Sequence, residues 1–552
     1  HATGAVTGSV SVGGLVGFAG PLTINNSYAI GNVTSSGNGV SDLGYGGLVG
    51  MTDSETVISN SYAIGAVSGT NFAGGVVGWN RGTLNNVYAF GKVTAQQALP
   101  GGVAGYSNGR ITNAYFNSSA NAGLQGIGQS NAGGATGATG LTEAQMRNPA
   151  SFAGFSFTTT PGRSGNNWVT VGADTMLNGS IGGTLPMLSS EYSTTINSAH
   201  QLQLMTMDRM AAYTVGSSFS AASTAGGDVW GSTGFVPVGD IWSDFRGSVN
   251  GAGHIISGLY MNNAGNNATG LIGNIGRSGR ISNLGLSDVN IKGTTYVGGF
   301  AGENAGKISG SFVSGTISGS KAVGALVGRN YGEIQNSYAT GSATGGMSVG
   351  GLAGENNFGA ISNSYAAVVV RGAGALGGLA GGTSVSSRIS SIYWDTQISG
   401  QASSLGGTGL TTAQLKNLAN YNGTSSPVWD LNNTWVVYDG HSAPLLRSFM
   451  TPLLVTASNV SKVYDGTAGG NASGISYSRP VDPALLLGTV VLSGDAVNVG
   501  THAVRVSGLY STAQNGYLIS YVDGSLTITP RQISLGSVSA GSKVYDGTTT
   551  AI

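Results

Sequence analysis

The stretch GALVGRNYGEIQNSYATGSATG at residues 324–345 is the repeating unit on which the fold prediction depends. It contains three short apolar or alternating runs, and glycine or asparagine separates each run from the next. Such runs between turn-forming residues are typical of short β-strands. One unit of this kind cannot bury its apolar face alone, so the stretch predicts a protein built from stacked copies.

Copies of this unit recur along the sequence. A glycine-rich block opens each copy, and within a series the last glycines of successive blocks are 26 to 33 residues apart. The first series is GGLVG (13–17), GGLVG (46–50), GGVVG (74–78) and GGVAG (101–105); the second is TGLIG (269–273), GGFAG (298–302), GALVG (324–328), GGLAG (350–354) and GGLAG (377–381). A second signature, Ile-x-Asn-x-aromatic, lies between the blocks at 24–28, 58–62, 334–338 and 361–365, with weaker copies at 84–88, 111–115, 281–285, 308–312 and 389–393.

The repeat length decides between the repeat architectures. About 27 residues with three strands is too short for a propeller blade, and the unit lacks the helix of leucine-rich or ankyrin repeats. One coil of a parallel β-helix fits, and nine coils about 4.8 Å apart would extend roughly 40 Å. We therefore predict an all-β protein with two right-handed parallel β-helix segments, followed by small sandwich-like all-β modules.

The composition excludes several classes of protein. The 552 residues include 97 Gly and no Cys, and 22 Lys and Arg balance 22 Asp and Glu. Zero net charge removes the electrostatic footprint of nucleic-acid binding. The lack of cysteine excludes disulfides, thiolate metal sites and cysteine nucleophiles. No apolar run approaches the roughly 20 residues that a membrane helix needs, so we expect no membrane span.

Stacking would turn each repeat position into a column of equivalent side chains. We expect an amide ladder and, beside it, a stack of aromatic rings. A strip of aromatic rings could bind carbohydrate, but recurrence at one fixed position favours a structural stack. The asparagines are Asn26, Asn60, Asn86, Asn113, Asn283, Asn336 and Asn363, and the aromatic residues are Tyr28, Tyr62, Tyr88, Tyr115, Phe312, Tyr338, Tyr365 and Tyr393.

Segments without the repeat mark domain boundaries. LTEAQMRN (141–148) and LTTAQLKN (410–417) match each other, and each begins with a Thr-x-x-Gln capping box, Thr142 with Gln145 and Thr411 with Gln414. Each is followed by a tryptophan and a Pro-apolar pair, so we interpret them as caps over the C-terminal end of a β-helix. The predicted domains are 1–190, an N-terminally truncated β-helix with its cap, and 191–450, a second β-helix with caps at both ends.

A different period begins after residue 450. SKVYDGT occurs at 461–467 and again at 542–548, with strand-like runs between the two copies. We predict a small all-β module at 451–530 and the truncated start of a second one at 531–552. Because the chain starts and stops inside repeats, we expect it to be part of a longer protein.

These motifs resemble a known family. The GGLVG and INNSYA pattern resembles the GLUG repeat, and SKVYDGT resembles YDG-type modules; both are common in filamentous haemagglutinin-like exoproteins of Gram-negative bacteria. The resemblance implies two-partner secretion through an outer-membrane partner, a β-helical stalk at the outer cell surface, and a role in adhesion, aggregation, biofilm or virulence. The N-terminal secretion domain typical of that route is absent from this sequence.

The charged residues that recur with the repeat are interpreted as structural. Glu303, Arg329 and Glu355 occupy one repeat position on successive coils. The two carboxylates would stand about 9.6 Å apart, near the spacing of an inverting glycosidase pair. We expect Arg329 between them to keep both ionised, which opposes the raised pKa of a general acid. Arg280, Lys307 and Glu333 form a similar column.

No catalytic, metal or cofactor-binding residue is assigned. Asp240 and Asp244, near Trp242, are the best remaining carboxylate pair, and without a third ligand they indicate a solvated turn. His1, His200, His254, His441 and His502 are dispersed and lack metal-ligand spacing. GxSxG at 105–109 and 346–350 and GxGxxG at 372–377 lie in repeat turns, without the strand-to-helix context of those motifs.

Three functions follow as hypotheses. The first is a non-enzymatic surface adhesin that binds a glycan, a protein receptor or another copy of itself through weak repeated contacts. The second is a β-helical polysaccharide lyase or hydrolase with a site near Asp240 and Asp244. The third is a passive stalk for a distal binding domain.

Overall fold

A computed structural model describes the chain from residue 1 to 549, apart from residues 38–43, 132–136, 164, 180, 181, 264, 266, 385, 424–427, 470–473, 495 and 540. The predicted segment 531–552 therefore lies partly outside the described residues. Strands account for 46% of the chain and helices for 7%, and a parallel β-solenoid of about 14 turns confirms the predicted parallel β-helix. The chain forms two compact units, His1–Trp435 and Val436–Ile552.

The first series of repeats forms four parallel sheets along the solenoid. Successive coils contribute parallel strands to each sheet, and equivalent positions pair in register, as Val6, Val33, Val67 and Val93 do. The strands, sheet by sheet, are Val6–Gly8, Val33–Ser35, Val67–Gly69 and Val93–Ala95; Val12–Gly13, Gly44–Gly46 and Phe72–Gly74; Val16–Ala19, Val49–Thr52, Val77–Asn80, Ala104–Ser107 and Ile127–Gln129; and Thr23–Asn25, Tyr28–Ala29, Val57–Ala63, Thr83–Ala89, Arg110–Asn117 and Ala138–Leu141.

The second series forms one large sheet and two smaller ones. The large sheet has 13 strands, and each smaller sheet has five. The large sheet contains Thr195–Ile196, Ala212–Val215, Phe219–Ser220, Ser248–Ser257, Tyr260–Asn262, Arg280–Lys292, Lys307–Ser309, Phe312–Ser318, Glu333–Gln335, Tyr338–Gly345, Ala360–Gly372, Arg388–Asp395 and Thr408–Leu410. The smaller sheets contain Ala268–Thr269, Tyr296–Val297, Ala322–Gly324, Ser348–Gly350 and Ala375–Gly377, and Ile272–Ile275, Ala301–Asn304, Val327–Asn330, Ala353–Asn356 and Ala380–Thr383.

The glycine-rich blocks let the coils approach closely at one corner. A Cβ added to Gly46 would lie 2.0 Å from the Val49 carbonyl oxygen and 2.6 Å from the Gly78 nitrogen of the next coil. No side chain fits that space, so glycine recurs there for a steric reason. The apolar residues of the blocks after the first are buried, including Leu48 and Val76. The blocks therefore set both the corner and the core of each coil.

The helices are short and lie mostly outside the coils. Thr142 and Thr411 both form the predicted capping boxes with Gln145 and Gln414. The segment at 196–210, which has helical periodicity, forms one short α-helix and one 3-10 helix. The α-helices are Glu143–Met146, Ala199–Leu204, Thr396–Ser399 and Thr412–Leu415, and the 3-10 helices are Pro149–Ser151, Ser189–Glu191, Met205–Met207, Ala222–Ala225, Leu418–Asn420 and Arg447–Phe449.

The second unit is a small all-β structure with its own core, which includes Leu453, Val455 and Val506. Thr451–Ala457 pairs with Ile475–Tyr477 and with Tyr517–Val522, and Gly524–Thr529 pairs with Val460–Val463 and Gly500–Tyr510. The remaining strand of this unit is Leu487–Ser493, and strands outside the sheets above are Trp168–Val169, Met187–Leu188, Trp435–Val436 and Leu445–Leu446. The domain boundaries drawn from the sequence stay predictions.

Candidate functional site

The aromatic residues of the repeat form two buried stacks on the side of the solenoid. Tyr28 and Tyr62 have ring centroids 4.9 Å apart, and Tyr62 and Tyr88 lie 5.1 Å apart with planes 1° from parallel. In the second series the same arrangement joins Phe312, Tyr338 and Tyr365, with centroids 5.2 and 4.9 Å apart. All of these residues are buried. The rings therefore belong to the core and are not available to a carbohydrate.

The chain that follows the first series covers its tyrosine stack by running back along it. We call residues 142–191 the first return segment. Tyr115 of the last coil donates to the Ala153 carbonyl at 2.9 Å, and Tyr88 of the preceding coil donates to the Pro186 carbonyl at 2.6 Å. Burial raises the pKa of Tyr88 well above its usual range, so the hydroxyl remains a donor.

Trp168 is the main side chain of this return segment. It is fully buried, and its ring lies 6.1 Å from that of Tyr62 and 5.8 Å from that of Tyr88. Trp435 takes the same position in the second series, 6.3 Å from Tyr338 and 6.1 Å from Tyr365. We call residues 411–435 the second return segment. The segments that were predicted to cap the C-terminal end of each β-helix thus follow a last strand, Ala138–Leu141 or Thr408–Leu410, and lead into chain that lies along the side of the coils.

A buried ionic cluster closes the first stack near its start. His200 lies between two carboxylates, with its Nδ1 2.5 Å from Glu191 Oε2 and its Nε2 3.0 Å from Asp228 Oδ1. Tyr62 donates to Glu191 at 3.0 Å, and the ring of Tyr28 stacks on His200 with centroids 5.3 Å apart. Burial alone lowers the pKa of His200, but the two carboxylates outweigh it and raise the pKa to about 10. His200 is therefore a charged imidazolium at neutral pH.

The sequence gives no sign of this cluster. Glu191, His200 and Asp228 lie in the segment between the two series, where no repeat period applies. In the sequence, His200 is one of five dispersed histidines. Only the return of the chain along the stack brings the three residues together. The cluster ties the second series to the tyrosines of the first, and its role is structural.

The asparagines of the aromatic signature lie at a corner with unusual backbone geometry. All seven have positive φ between 44° and 53°, and the weaker copies place Gly310 or Ser391 there with φ of 56° and 53°. Asparagine tolerates this left-handed conformation better than most residues. The side-chain amide of Asn113 donates a hydrogen bond to Asn86 at 3.0 Å, and that of Asn86 donates to Asn60 at 3.3 Å. Asn60, however, donates to Asn25 rather than to Asn26.

In the second series this corner column is interrupted. Gly310 replaces asparagine between Asn283 and Asn336, so it supplies no amide to continue a ladder there. Asn336 has the same positive φ as its equivalents, and Asn363 donates to the Val428 carbonyl at 3.3 Å, in the second return segment. The need for positive φ thus holds along both columns, while the amide ladder holds along part of the first.

A second amide ladder, which the expectations from the sequence did not include, is completely buried. Asn304 donates to Asn330 at 2.8 Å, and Asn330 donates to Asn356 at 2.8 Å, with all three side chains at 0% exposure. These residues directly follow the Glu303, Arg329 and Glu355 column, so their common spacing was visible in the sequence. Stacked amides satisfy each other where water is excluded, and they fix the register of the coils.

Truncation of the central amide of this ladder tests its contribution. Asn330→Ala should lower the free energy of unfolding by about 3 kcal/mol, because a buried donor of Asn304 and a buried acceptor of Asn356 lose their partner. Urea unfolding of the variant measures the change. Asn108→Ala, at an exposed turn of the first series, is the matched control and should change stability by less than about 0.5 kcal/mol.

The column of Glu303, Arg329 and Glu355 forms an ion-pair ladder. Arg329 donates from Nε to Glu355 at 2.9 Å and from Nη1 to Glu303 at 3.4 Å, and its guanidinium lies 3.8 Å from the ring centroid of Tyr296. Burial raises the pKa of Glu303, Arg329 opposes that rise, and Glu355 adds to it. Arg329 thus opposes a raised pKa of Glu303, as expected, but burial outweighs it and the pKa is raised.

The remaining candidates are held in local structure. Lys307 pairs with Glu333 at 3.3 Å, and Arg280 lies in register with Lys307 on the neighbouring coil. Asp240 accepts from the backbone of Trp242 and Ser243, both at 2.8 Å, which forms a turn that leaves Trp242 89% exposed.

Neither aspartate of the candidate pair is free. The second carboxylate oxygen of Asp240 accepts from Thr175 at 2.6 Å, and Asp244 pairs with Arg246 at 2.9 Å. Among the described residues, no group of three or more His, Cys, Asp or Glu side chains is arranged to hold a metal ion. Within the same part of the chain, no helix has the length and apolar character needed to cross a membrane.

Comparison with known proteins places the chain among repetitive proteins. The GLUG motif matches residues 319–344, which include Arg329, Asn330 and Tyr338. Halomucin of Haloquadratum walsbyi is 36% identical over 107 residues, which are 19% of this chain and 1% of halomucin. A protein of Evansella cellulosilytica provisionally named a Gly-rich membrane protein is 37% identical over 81 residues, 14% of this chain and 9% of that protein. The chain therefore spans only a small part of these relatives.

One solved structure also aligns with the chain. It is a Bacteroides ovatus protein provisionally named an immunoglobulin A1 protease, with 19% identity and a TM-score of 0.33, and the alignment covers 46% of this chain and 92% of that one. The motif and the solenoid together are those of a repetitive protein.

Proposed function

We propose that this chain is a segment of a repetitive stalk on the cell surface that attaches the cell to other surfaces without catalysing a reaction. The observation that carries the proposal is the in-register stacking of equivalent positions. Glu303, Arg329 and Glu355 show it on the outside, and Asn304, Asn330 and Asn356 show it inside. A surface that repeats with every coil offers many equivalent weak contacts, which suit attachment by avidity.

The finer parts of the proposal come from the resemblance to filamentous haemagglutinin-like exoproteins. They are export by two-partner secretion, display on the outer surface of a Gram-negative bacterium, and a role in aggregation, biofilm or virulence. The receptor would be a surface glycan, a protein or another copy of the chain. No cofactor and no nucleic acid take part in this proposal.

An attachment assay with the whole chain tests it. Beads coated with the chain at graded densities are passed over surfaces that carry glycans, matrix proteins or the chain itself, and the surfaces are then analysed for cleavage products. Attachment should rise more steeply than coating density, because each bead binds through many contacts. Beads coated with serum albumin are the control.

Two results would contradict the proposal. No retention on any surface would leave a passive stalk, whose binding domain lies elsewhere. Release of reducing ends or unsaturated sugars from the glycan surfaces would show an enzyme, and Asp244→Asn would then test the hypothesis of a lyase or hydrolase site near Asp240 and Asp244.

A further inference from the structure

One column on the outside of the first series is aromatic where its counterpart in the second series is charged. It consists of the residue after the last glycine of each block, and register pairs Phe18 with Met51, Met51 with Trp79, and Trp79 with Tyr106. Phe18 is 55% exposed, and the other three are half-buried. These strands belong to a different sheet from the tyrosine stack that the return segment covers.

The equivalent column of the second series shows that the coil does not need these rings. The residues after the corresponding glycines are Asn274, Glu303, Arg329, Glu355 and Gly382, and they pair in register in the same way. The solenoid therefore forms equally well with polar residues at this position. Exposed aromatic rings that a fold does not require are a feature of binding surfaces.

Phe72 extends the column into a compact cluster. Its ring lies 5.6 Å from that of Trp79 and 5.1 Å from that of Tyr106, and Trp79 and Tyr106 meet edge to face at 5.5 Å. Phe18, Met51, Phe72, Trp79 and Tyr106 are called the outer aromatic cluster below. The patch therefore presents apolar side chains to solvent over four successive coils, as rings on three of them and as Met51 on the second.

An exposed cation lies on this cluster. The Arg81 guanidinium is exposed and sits 4.3 Å from the centroid of the Trp79 ring. Among the described residues, no carboxylate oxygen lies within 4.0 Å of it, whereas Arg329, the counterpart of Trp79 in the second series, contacts two carboxylates. The side chain of Asp53, on the preceding coil, accepts from Ser54, and this hydrogen bond lowers the pKa of Asp53, to which the charge of Arg81 adds. Arg110, which begins the next strand after Tyr106, is a second exposed cation.

We infer that the outer aromatic cluster binds an acidic polysaccharide of the polyuronate class. The rings supply apolar surface for the C–H faces of the sugars, and the fork of Arg81 matches a carboxylate of the ligand. Arg81 and Arg110 are exposed beside the cluster, and their guanidinium groups can pair with the carboxylates of an acidic ligand. Successive coils would hold successive sugars, so affinity would rise with chain length. This inference rests on the proposed function and names the receptor for it.

Calorimetry with the whole chain tests the inference, with oligo-alginate as the polyuronate and a cello-oligosaccharide of equal length as the neutral probe. The alginate should bind, and the neutral probe should bind at least about tenfold more weakly. Trp79→Ala should weaken alginate binding by about tenfold or more, since truncated aromatic anchors typically have effects of that size. Arg81→Gln should weaken it and reduce its dependence on salt. Trp242→Ala, which removes the exposed tryptophan outside the cluster, should change nothing.

Several outcomes would overturn the inference. One is that Trp79→Ala and the unchanged chain bind alginate equally well, and another is that the chain has equal affinity for both probes. A third is the formation of concentration-dependent dimers that Trp79→Ala abolishes, because that result would assign the cluster to self-association. If Trp79→Ala does not fold, Arg81→Gln alone decides, because its side chain is exposed. Bead attachment that persists while alginate binding is absent would overturn the inference and leave the proposed function standing.

Discussion

Replacement of His200 by glutamine should lower the free energy of unfolding of the first unit by about 3 to 5 kcal/mol. Glutamine keeps a similar size and a hydrogen-bond donor, but it removes the positive charge between Glu191 and Asp228. The two buried carboxylates then repel each other without a counter-ion. Urea unfolding at neutral pH measures the loss, and His254→Gln, at a partly exposed strand position, is the matched control and should stay near the unchanged chain.

The same cluster makes stability depend on pH. The pKa of His200 is about 10 in the folded chain, against 6.5 for an ordinary histidine. Between these values the folded chain binds one proton more than the unfolded chain, so stability falls as pH rises. The contribution is complete below pH 6.5 and is lost as pH rises through about 10. Unfolding at pH 6, 8 and 10 should show this slope, and His200→Gln should flatten it.

A combined variant separates charge from packing. Glu191→Gln together with His200→Gln leaves Asp228 as the one carboxylate of the cluster, so it should recover part of the stability that His200→Gln loses. Two results would show that the ion pairs do not hold the segment in place. One is a His200→Gln chain as stable as the unchanged chain. The other is a double variant that loses more free energy of unfolding than the two single variants lose together.

The periodic part of the structure was predictable because its information is local. Each copy of the unit repeats glycine, apolar residues and asparagine at fixed spacing, and equivalent residues must then stack. The register of Glu303, Arg329 and Glu355 follows directly from the spacing. The buried ladder at Asn304, Asn330 and Asn356 follows from the same spacing, and it was missed because only the asparagines beside the tyrosines were considered.

The return of the chain along the stack was not predictable from the sequence. The return segments have no repeat, and their contacts join residues about 100 apart, as Tyr88 and Pro186 do. Their matching openings and tryptophans indicate a common structure but not the direction in which it runs. The pKa of Glu303 is a similar case, because burial depends on neighbours from several coils. Spacing fixes the columns, and long-range packing decides what covers them.

Trp168→Ala should lower the free energy of unfolding by about 3 to 5 kcal/mol, because it leaves a large cavity against the tyrosine stack. The loss should also be local, since each coil of a solenoid contacts only its neighbours. Hydrogen exchange should show faster exchange in Val57–Ala63 and Thr83–Ala89, which carry Tyr62 and Tyr88. The second series should keep its protection.

Two further variants make that result specific. Trp435→Ala should produce the reverse pattern, with faster exchange in Tyr338–Gly345 and Ala360–Gly372 and no change in the first series. Trp168→Phe should have a much smaller effect than Trp168→Ala, because it keeps most of the ring packing, and the indole N–H of Trp168 has no acceptor among the described residues. Exchange that increases in both series with either alanine variant would contradict the argument, since it would mean that the two stacks unfold as one cooperative unit. If each alanine variant increases exchange only in its own series, each return segment stabilises the stack on which it lies.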